Sequence, residues 1–237
     1  MSCLFNSSIK IFNTDPMDNS SIWPHSVEIC ITRVPIRKRD GYSVDFMKNL
    51  ANKLKNSMAP NGIVFLICYA PMECKFRPFE IGSEMAKVGF NHIDNIVIEK
   101  TWLPGKRSEN NLVNSHDYVL FFCNGDVWKI DRSPIKQYLM LDDSTSCVGN
   151  TWLVETGSLD ESCSDDLATL LIRMSDLLPG SSVFDPFMGN SAILKACLTM
   201  GHSLIGFETD KRKTKQYQKI VDDFKRKEQD AIREVQD

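Results

Sequence analysis

The chain has no long uncharged apolar run and no basic-then-apolar leader, so neither a membrane span nor a secretory signal is expected. Its eight cysteines, at positions 3, 30, 68, 74, 123, 147, 163 and 197, include no C-x-x-C pair. Cys30, Cys68 and Cys123 sit inside apolar runs, where a thiol behaves as a small hydrophobe. That pattern argues against a disulfide scaffold or a zinc site, and no metal centre is expected. It points to an intracellular, reducing compartment, cytoplasmic or nuclear. An excess of positive charge is also missing: 28 Lys and Arg stand against 31 Asp and Glu, for a net charge of −3. Whole-surface attraction to nucleic acid is thereby excluded, and any such contact must come from local patches. Two patches qualify, Arg33 with Arg37, Lys38 and Arg39, and Lys211-Arg212-Lys213 with Lys215. No internal repeat is visible.

What is present is a 237-residue chain, 42% hydrophobic and 25% charged, the composition of a soluble globular protein able to bury a full core. Its most informative stretch is Val183-Phe184-Asp185-Pro186-Phe187-Met188-Gly189-Asn190-Ser191-Ala192-Ile193-Leu194. Apolar residues run into an acid and a proline, and small residues then open an apolar, helix-compatible run. That is the pattern of a buried strand turning sharply into a helix. In open α/β sheets, ligands bind at the carboxyl ends of strands, beside helix N-termini. Gly189 would let the backbone approach a ligand, and Asn190 and Ser191 supply small polar groups. A second strand, Ser203 to Phe207, ends in Glu208, an acid placed to accept hydrogen bonds from ribose hydroxyls. Together these form half of a nucleoside-cofactor site.

The remaining pattern alternates. A short strand is expected over Ile9–Phe12, then a loop, then a strand over Ser26–Thr32. Ser43–Met58 has helical spacing, with Val44, Phe46-Met47, Leu50-Ala51 and Leu54 on one face. Pro60-Asn61-Gly62 should stop it, and Ile63–Tyr69 reads as a strand covered on both faces. A helix over Glu80–Val88 and strands over Ile93–Glu99 and Tyr118–Cys123 follow. Residues 124–163 look irregular. Ser164 should cap a helix running to Leu178, a second helix should run to Met200, and a long charged one should start at Lys211. Its residues Tyr217, Val221, Phe224, Ala231 and Val235 suit packing on its own sheet, or a coiled-coil contact.

Asp185-Pro186-Phe187-Met188-Gly189-Asn190-Ser191 resembles the Asp-Pro-Phe-x-Gly-Ser-Gly motif of S-adenosylmethionine-dependent DNA methyltransferases acting on amino groups of adenine or cytosine. Pro179-Gly180 before it and Ile205-Gly206-Phe207-Glu208 after it follow that family's order. The resemblance implies a Rossmann-like α/β fold with a mostly parallel sheet of the seven-stranded type and helices on both faces. It also implies a circular permutation, because the strand ending at Thr32 precedes the cofactor motif. One domain over residues 1–237 is expected: a catalytic-loop half at 26–123, a short irregular insert at 124–163, and a cofactor-binding half with the C-terminal helix at 164–237. The resemblance implies S-adenosylmethionine as cofactor, with Asp185, Pro186, Phe187, Gly189, Asn190, Ser191 and Glu208 binding it, and DNA as partner.

Two departures stand out. The family carries Asp/Asn/Ser-Pro-Pro-aromatic after the strand that ends here at Thr32; this chain has Arg33-Val34-Pro35-Ile36. In the family, the polar residue and the first proline's carbonyl accept hydrogen bonds from the amino group, and the aromatic stacks on a flipped base. Arginine only donates, and isoleucine has no π face. The second departure is on the cofactor side. Leu159–Ser164 replaces a His-Pro-x-x-Phe-Pro segment, and Ser191 replaces a glycine, which predicts a weaker hold on the cofactor. Three readings remain open: a subunit supporting an active partner methyltransferase, transfer to another acceptor through other residues, or cofactor binding for stability alone. Nucleic-acid contact is expected at Arg33, Arg37, Lys38 and Arg39, or through another chain.

Overall fold

The computed structural model describes residues 8–18, 23–35, 43–68, 76–99, 116–127, 129–141, 148–154 and 163–236. Ile36, Arg37, Lys38, Arg39 and the segment 155–162 lie outside them. The strands are β1 (Ile9–Phe12), β2 (Val27–Arg33), β3 (Met58–Cys68), β4 (Asn91–Glu99), β5 (His116–Cys123), β6 (Thr151–Leu153), β7 (Ser182–Asp185) and β8 (Ser203–Phe207). The helices are α1 (Val44–Ser57), α2 (Arg77–Lys87), α3 (Ser133–Tyr138), α4 (Asp165–Met174), α5 (Ala192–Met200) and α6 (Lys211–Gln236).

The strands form one eight-stranded sheet in the order β1-β8-β7-β2-β3-β5-β4-β6. It is mixed: β5 runs antiparallel to both β3 and β4, and the other pairs are parallel. Alternate strand residues point to opposite faces, and both faces are apolar. Ile29 and Ile31 join a core with Leu167, Ala168, Leu171, Leu194 and Val221 from α4, α5 and α6. Cys30 and Val34 join a second core with Met47, Leu50, Leu54, Ile81 and Met85 from α1 and α2. Double burial accounts for the unbroken apolar runs of β2 and β3.

The order contains a topological switch. β7 leads through α5 to β8 on one side, β2 leads through α1 to β3 on the other, and β7 and β2 are parallel neighbours. Such a point leaves a crevice at the carboxyl ends of the two strands. The permuted arrangement is visible here, since β2 precedes β7 by 153 residues from Thr32 to Asp185 in the chain yet lies beside it.

Several elements differ from expectation. Pro60-Asn61-Gly62 does not separate α1 from β3 but lies inside β3, where the pairing jumps from Val27↔Met58 to Ile29↔Ile63. Asn61 takes φ 60°, and the backbone groups freed by the irregularity are satisfied by Asn124, whose side chain donates to the Met58 and Ala59 carbonyls at 3.0 Å each. The stretch 124–163 is not wholly irregular, because it contributes α3 and the edge strand β6. Helix α4 stops at Met174 rather than Leu178, with Asp176 at φ 53° just beyond it. Helix α2 starts at Arg77, ahead of the expected Glu80, with proline at its first turn, where a missing N–H costs nothing.

Candidate functional site

The carboxyl ends of β1, β8, β7 and β2 surround a cavity of about 280 Å³. Its walls come from Asp15-Pro16-Met17 after β1, Phe207 and Thr209 at the end of β8, Pro186-Phe187-Met188-Gly189 after β7, Arg33-Val34-Pro35 after β2, and Phe46 of α1.

Two Asp-Pro turns build opposite parts of this wall. At the tip of β7, Asp185 Oδ1 accepts from the Phe187 backbone N–H at 3.2 Å and from the Thr32 hydroxyl of β2 at 2.7 Å. Beyond β1, Asp15 Oδ1 accepts from the Met17 N–H at 2.8 Å in the same local arrangement. An aspartate that bonds the amide two residues on is a self-closing turn. The Asp15 turn is also tied down from a distance. The Trp23 indole N–H donates to the Pro16 carbonyl at 2.6 Å, and Lys53 Nζ donates to the Pro16 and Met17 carbonyls at 2.9 and 2.8 Å.

Asp185 is 2% exposed and does not line the cavity. Burial pushes its carboxyl up to about 7; the Thr32 and Phe187 hydrogen bonds pull the other way, and nearby Glu208 adds to the rise. Glu208, 9% exposed, sits at the tip of β8 next to β7. Its Oε1 accepts from the Asp210 N–H at 2.9 Å and its Oε2 from the Tyr217 hydroxyl at 3.1 Å. The two acids expected to grip a ligand are therefore neighbours, but their carboxylates are engaged in holding the turns. Pro186, Phe187 and Gly189 do line the cavity. A Cβ added at Gly189 would meet nothing within 4 Å, so no packing within the chain requires glycine there.

Asn190 Nδ2 donates to the Cys163 carbonyl at 2.7 Å, tying the glycine turn to the start of α4. Ser191 stands just before α5 and makes no side-chain cap bond. Of the degenerate tetrapeptide, Arg33 is ion-paired with Asp117 of β5 at 3.6 Å. Val34 is fully buried and bonds through its N–H to the Ile67 carbonyl at 3.0 Å. Pro35 lines the cavity, and Ile36 lies outside the described residues. Among the described residues, no His, Cys, Asp or Glu cluster is placed to hold a metal ion, and no helix is long and apolar enough to cross a membrane.

Sequence reasoning missed Tyr217, Lys213, Thr32, Phe46 and the Asp15–Met17 wall. Tyr217 of α6 lies within 3.1–3.3 Å of Glu208 and of the Met188 and Gly189 carbonyls, and Lys213 Nζ donates to the Gly189 carbonyl at 3.0 Å. Helix α6 thus clamps the glycine turn against the tip of β8. Tyr217→Phe keeps the ring and removes the hydroxyl. It is expected to cost about 1 kcal/mol of stability, the net worth of one buried hydrogen bond, measurable by urea denaturation.

A doubly wound sheet with a cavity at its switch point, an Asp-Pro-Phe-x-Gly turn on one strand and an acid at the tip of the next define a methyltransferase-type α/β protein. A DNA methylase family model matches residues 37–219. The chain belongs to that family of N6/N4 DNA methylases, whose cofactor is S-adenosylmethionine. No curated protein matches it in sequence. Among solved structures it is similar to the M1.HpyAVI–SAM complex, with TM-score 0.65, 19% identity, and 89% of this chain and 98% of that one covered. It is similar to TTHA0409, a DNA modification methylase of Thermus thermophilus complexed with S-adenosyl-L-methionine, with TM-score 0.67, 17% identity and coverage of 92% and 95%. It is likewise similar to the cytosine-N4-specific PvuII DNA methyltransferase, with TM-score 0.70, 14% identity and 93% of each chain covered. At these identities the likeness is one of fold.

Proposed function

We propose that this chain binds S-adenosylmethionine and DNA at the switch-point cavity and lacks the acceptor-side groups for amino-methylation on its own, so that it supports an active partner methyltransferase. The observation that carries this reading is Arg33. At the end of β2, where the family places a hydrogen-bond acceptor, the chain presents a donor-only guanidinium paired with Asp117. Drawing an amino group into line for attack requires an acceptor at that place.

The donor side supports cofactor binding. The open space beside Gly189 leaves room for a ligand against the backbone, Asp15 and Thr209 supply polar lining, and Phe187, Phe207 and Met17 supply apolar lining. When bound, S-adenosylmethionine supplies an electrophilic methyl group on a sulfonium centre. Asp185 and Glu208 belong to the same site as the groups that fix its two turns and place negative charge behind them. Residues 1–237 acting as one domain, and DNA contact through Arg37, Lys38 and Arg39, belong to the same proposal.

The test is calorimetry with S-adenosylmethionine, followed by transfer of tritiated methyl to DNA and RNA by the isolated chain and by the chain with candidate partner methyltransferases. Binding without transfer by the isolated chain, together with enhanced transfer by a partner, is the expected result. Methylation of adenine or cytosine by the isolated chain would overturn the acceptor half of the reading, and absence of cofactor binding would overturn the donor half.

A further inference from the structure

The cavity has two ends. Glu208, Thr209 and the Asp15–Met17 turn lie at the β8/β1 end, which the proposed function assigns to adenosine. At the β2 end stand Val34, Pro35 and Phe46. Phe46 comes from the first turn of α1, and its place is fixed by the cap: the Ser43 side chain accepts from the Phe46 N–H at 3.0 Å. The ring is half-buried and lines the cavity beside Phe187, with the two centroids 6.0 Å apart and the planes inclined by 40°. An apolar residue that only filled the core would have no need to present a ring to open space, and its helix neighbours Met47 and Leu50 are fully covered.

We propose that Phe46 is the stacking surface for a nucleic-acid base entering the β2 end of the cavity. The inference rests on the nucleic-acid reading of the same site and adds to it the residue and the type of contact. A planar base has a π face whatever its identity, so an aromatic wall holds it without sequence-specific hydrogen bonds. A base lying against Phe46 sits at the acceptor end of the cavity, away from the adenosine end. The ring arrives from α1 rather than from the tetrapeptide, where Ile36 has no face to offer. A chain that engages a base in this way without an acceptor at Arg33 would hold nucleic acid rather than modify it.

The test uses the full chain with three readouts: anisotropy of a fluorescein-labelled single-stranded oligonucleotide containing adenine and cytosine, calorimetry with S-adenosylhomocysteine, and thermal melting. Phe46→Leu keeps apolar volume against Phe187 and removes the π face. It is expected to weaken oligonucleotide binding about tenfold, in line with the loss of one base–aromatic stack, and to leave S-adenosylhomocysteine affinity and melting unchanged. Phe46→Trp is expected to match or exceed the parent chain. Unchanged oligonucleotide binding in Phe46→Leu, with the parent chain binding both ligands, overturns this inference alone. Equal loss of oligonucleotide and S-adenosylhomocysteine affinity also overturns it and places the adenine ring of the cofactor against Phe46. A parent chain that binds neither ligand overturns both this inference and the reading beneath it. Should Phe46→Leu melt early, Phe46→Trp carries the test: tighter oligonucleotide binding supports the stack, and no gain rejects it.

Discussion

An Asp185→Asn variant is expected to be more stable than the parent chain above pH 7, and to lose much of the decline in stability that the parent shows between about pH 4 and pH 7. The cause is the burial of Asp185, whose carboxyl rises from 3.8 to about 7 in the folded protein. Between those values the folded chain holds a proton that the unfolded chain has released. Stability therefore falls as pH rises through this window, and the full penalty is present above pH 7. Three pK units correspond to a penalty on the order of 4 kcal/mol. Asparagine keeps an oxygen able to accept from the Thr32 hydroxyl and the Phe187 N–H, so both turns stay closed. Its amide nitrogen needs a partner of its own, which offsets part of the gain. Denaturant unfolding at pH 5 and pH 8 reads the effect directly, and superimposable pH profiles for the two proteins would rule the mechanism out. On the proposed cofactor reading, the variant also loses affinity for the cationic S-adenosylmethionine more than for S-adenosylhomocysteine, because the charge behind the turn is gone. A chain that keeps a destabilising buried acid is then keeping it for the ligand.

The parts of the site legible in the sequence are those written by local chemistry. Asp185-Pro186 followed by Gly189 announces a strand tip, a turn and a helix within ten residues, and the structure has β7, the turn and α5 there. The spacing of Met47, Leu50 and Leu54 announces α1 in the same way. The Asp15 wall was readable by the same grammar, since Ile9–Phe12 runs into Asn13-Thr14-Asp15-Pro16 much as β7 runs into Asp185-Pro186. What hid it was the pair of distant anchors, Trp23 and Lys53, that turn a loop into a wall. Thr32 and Asp185 meet across 153 residues, and Arg33 finds Asp117 two strands away. No period or turn signal encodes either pairing, because each follows from sheet order. Helix α3 and strand β6 escaped notice for another reason: six- and three-residue elements are too short to display a period.

Gly206 makes the dependence of the site on sheet order testable. It lies on β8 directly beside Asp185 of β7, and a Cβ there would collide with the sulfur of Met188, with Met188 Cγ at 2.9 Å. Met188 is buried and also anchors the glycine turn, its N–H bonding the Phe207 carbonyl at 3.0 Å. Gly206→Ala therefore cannot be absorbed by a surface rotamer. Met188 must move, and the turn carrying Gly189 moves with it. Overpacking of this kind costs about 1–3 kcal/mol, and Met188→Ala alone costs about 2–5 kcal/mol through the cavity it leaves. In the double variant each change answers the other: the new methyl enters the space the thioether vacates. Its loss should fall short of the sum by about 1 kcal/mol or more, as for residues in direct contact. Cofactor affinity, measured by calorimetry, should drop in Gly206→Ala and recover in part in the double variant. Strict additivity in unfolding would show that Met188 does not rest on Gly206, and the coupling between the tip of β8 and the glycine turn would have to run through Tyr217 alone.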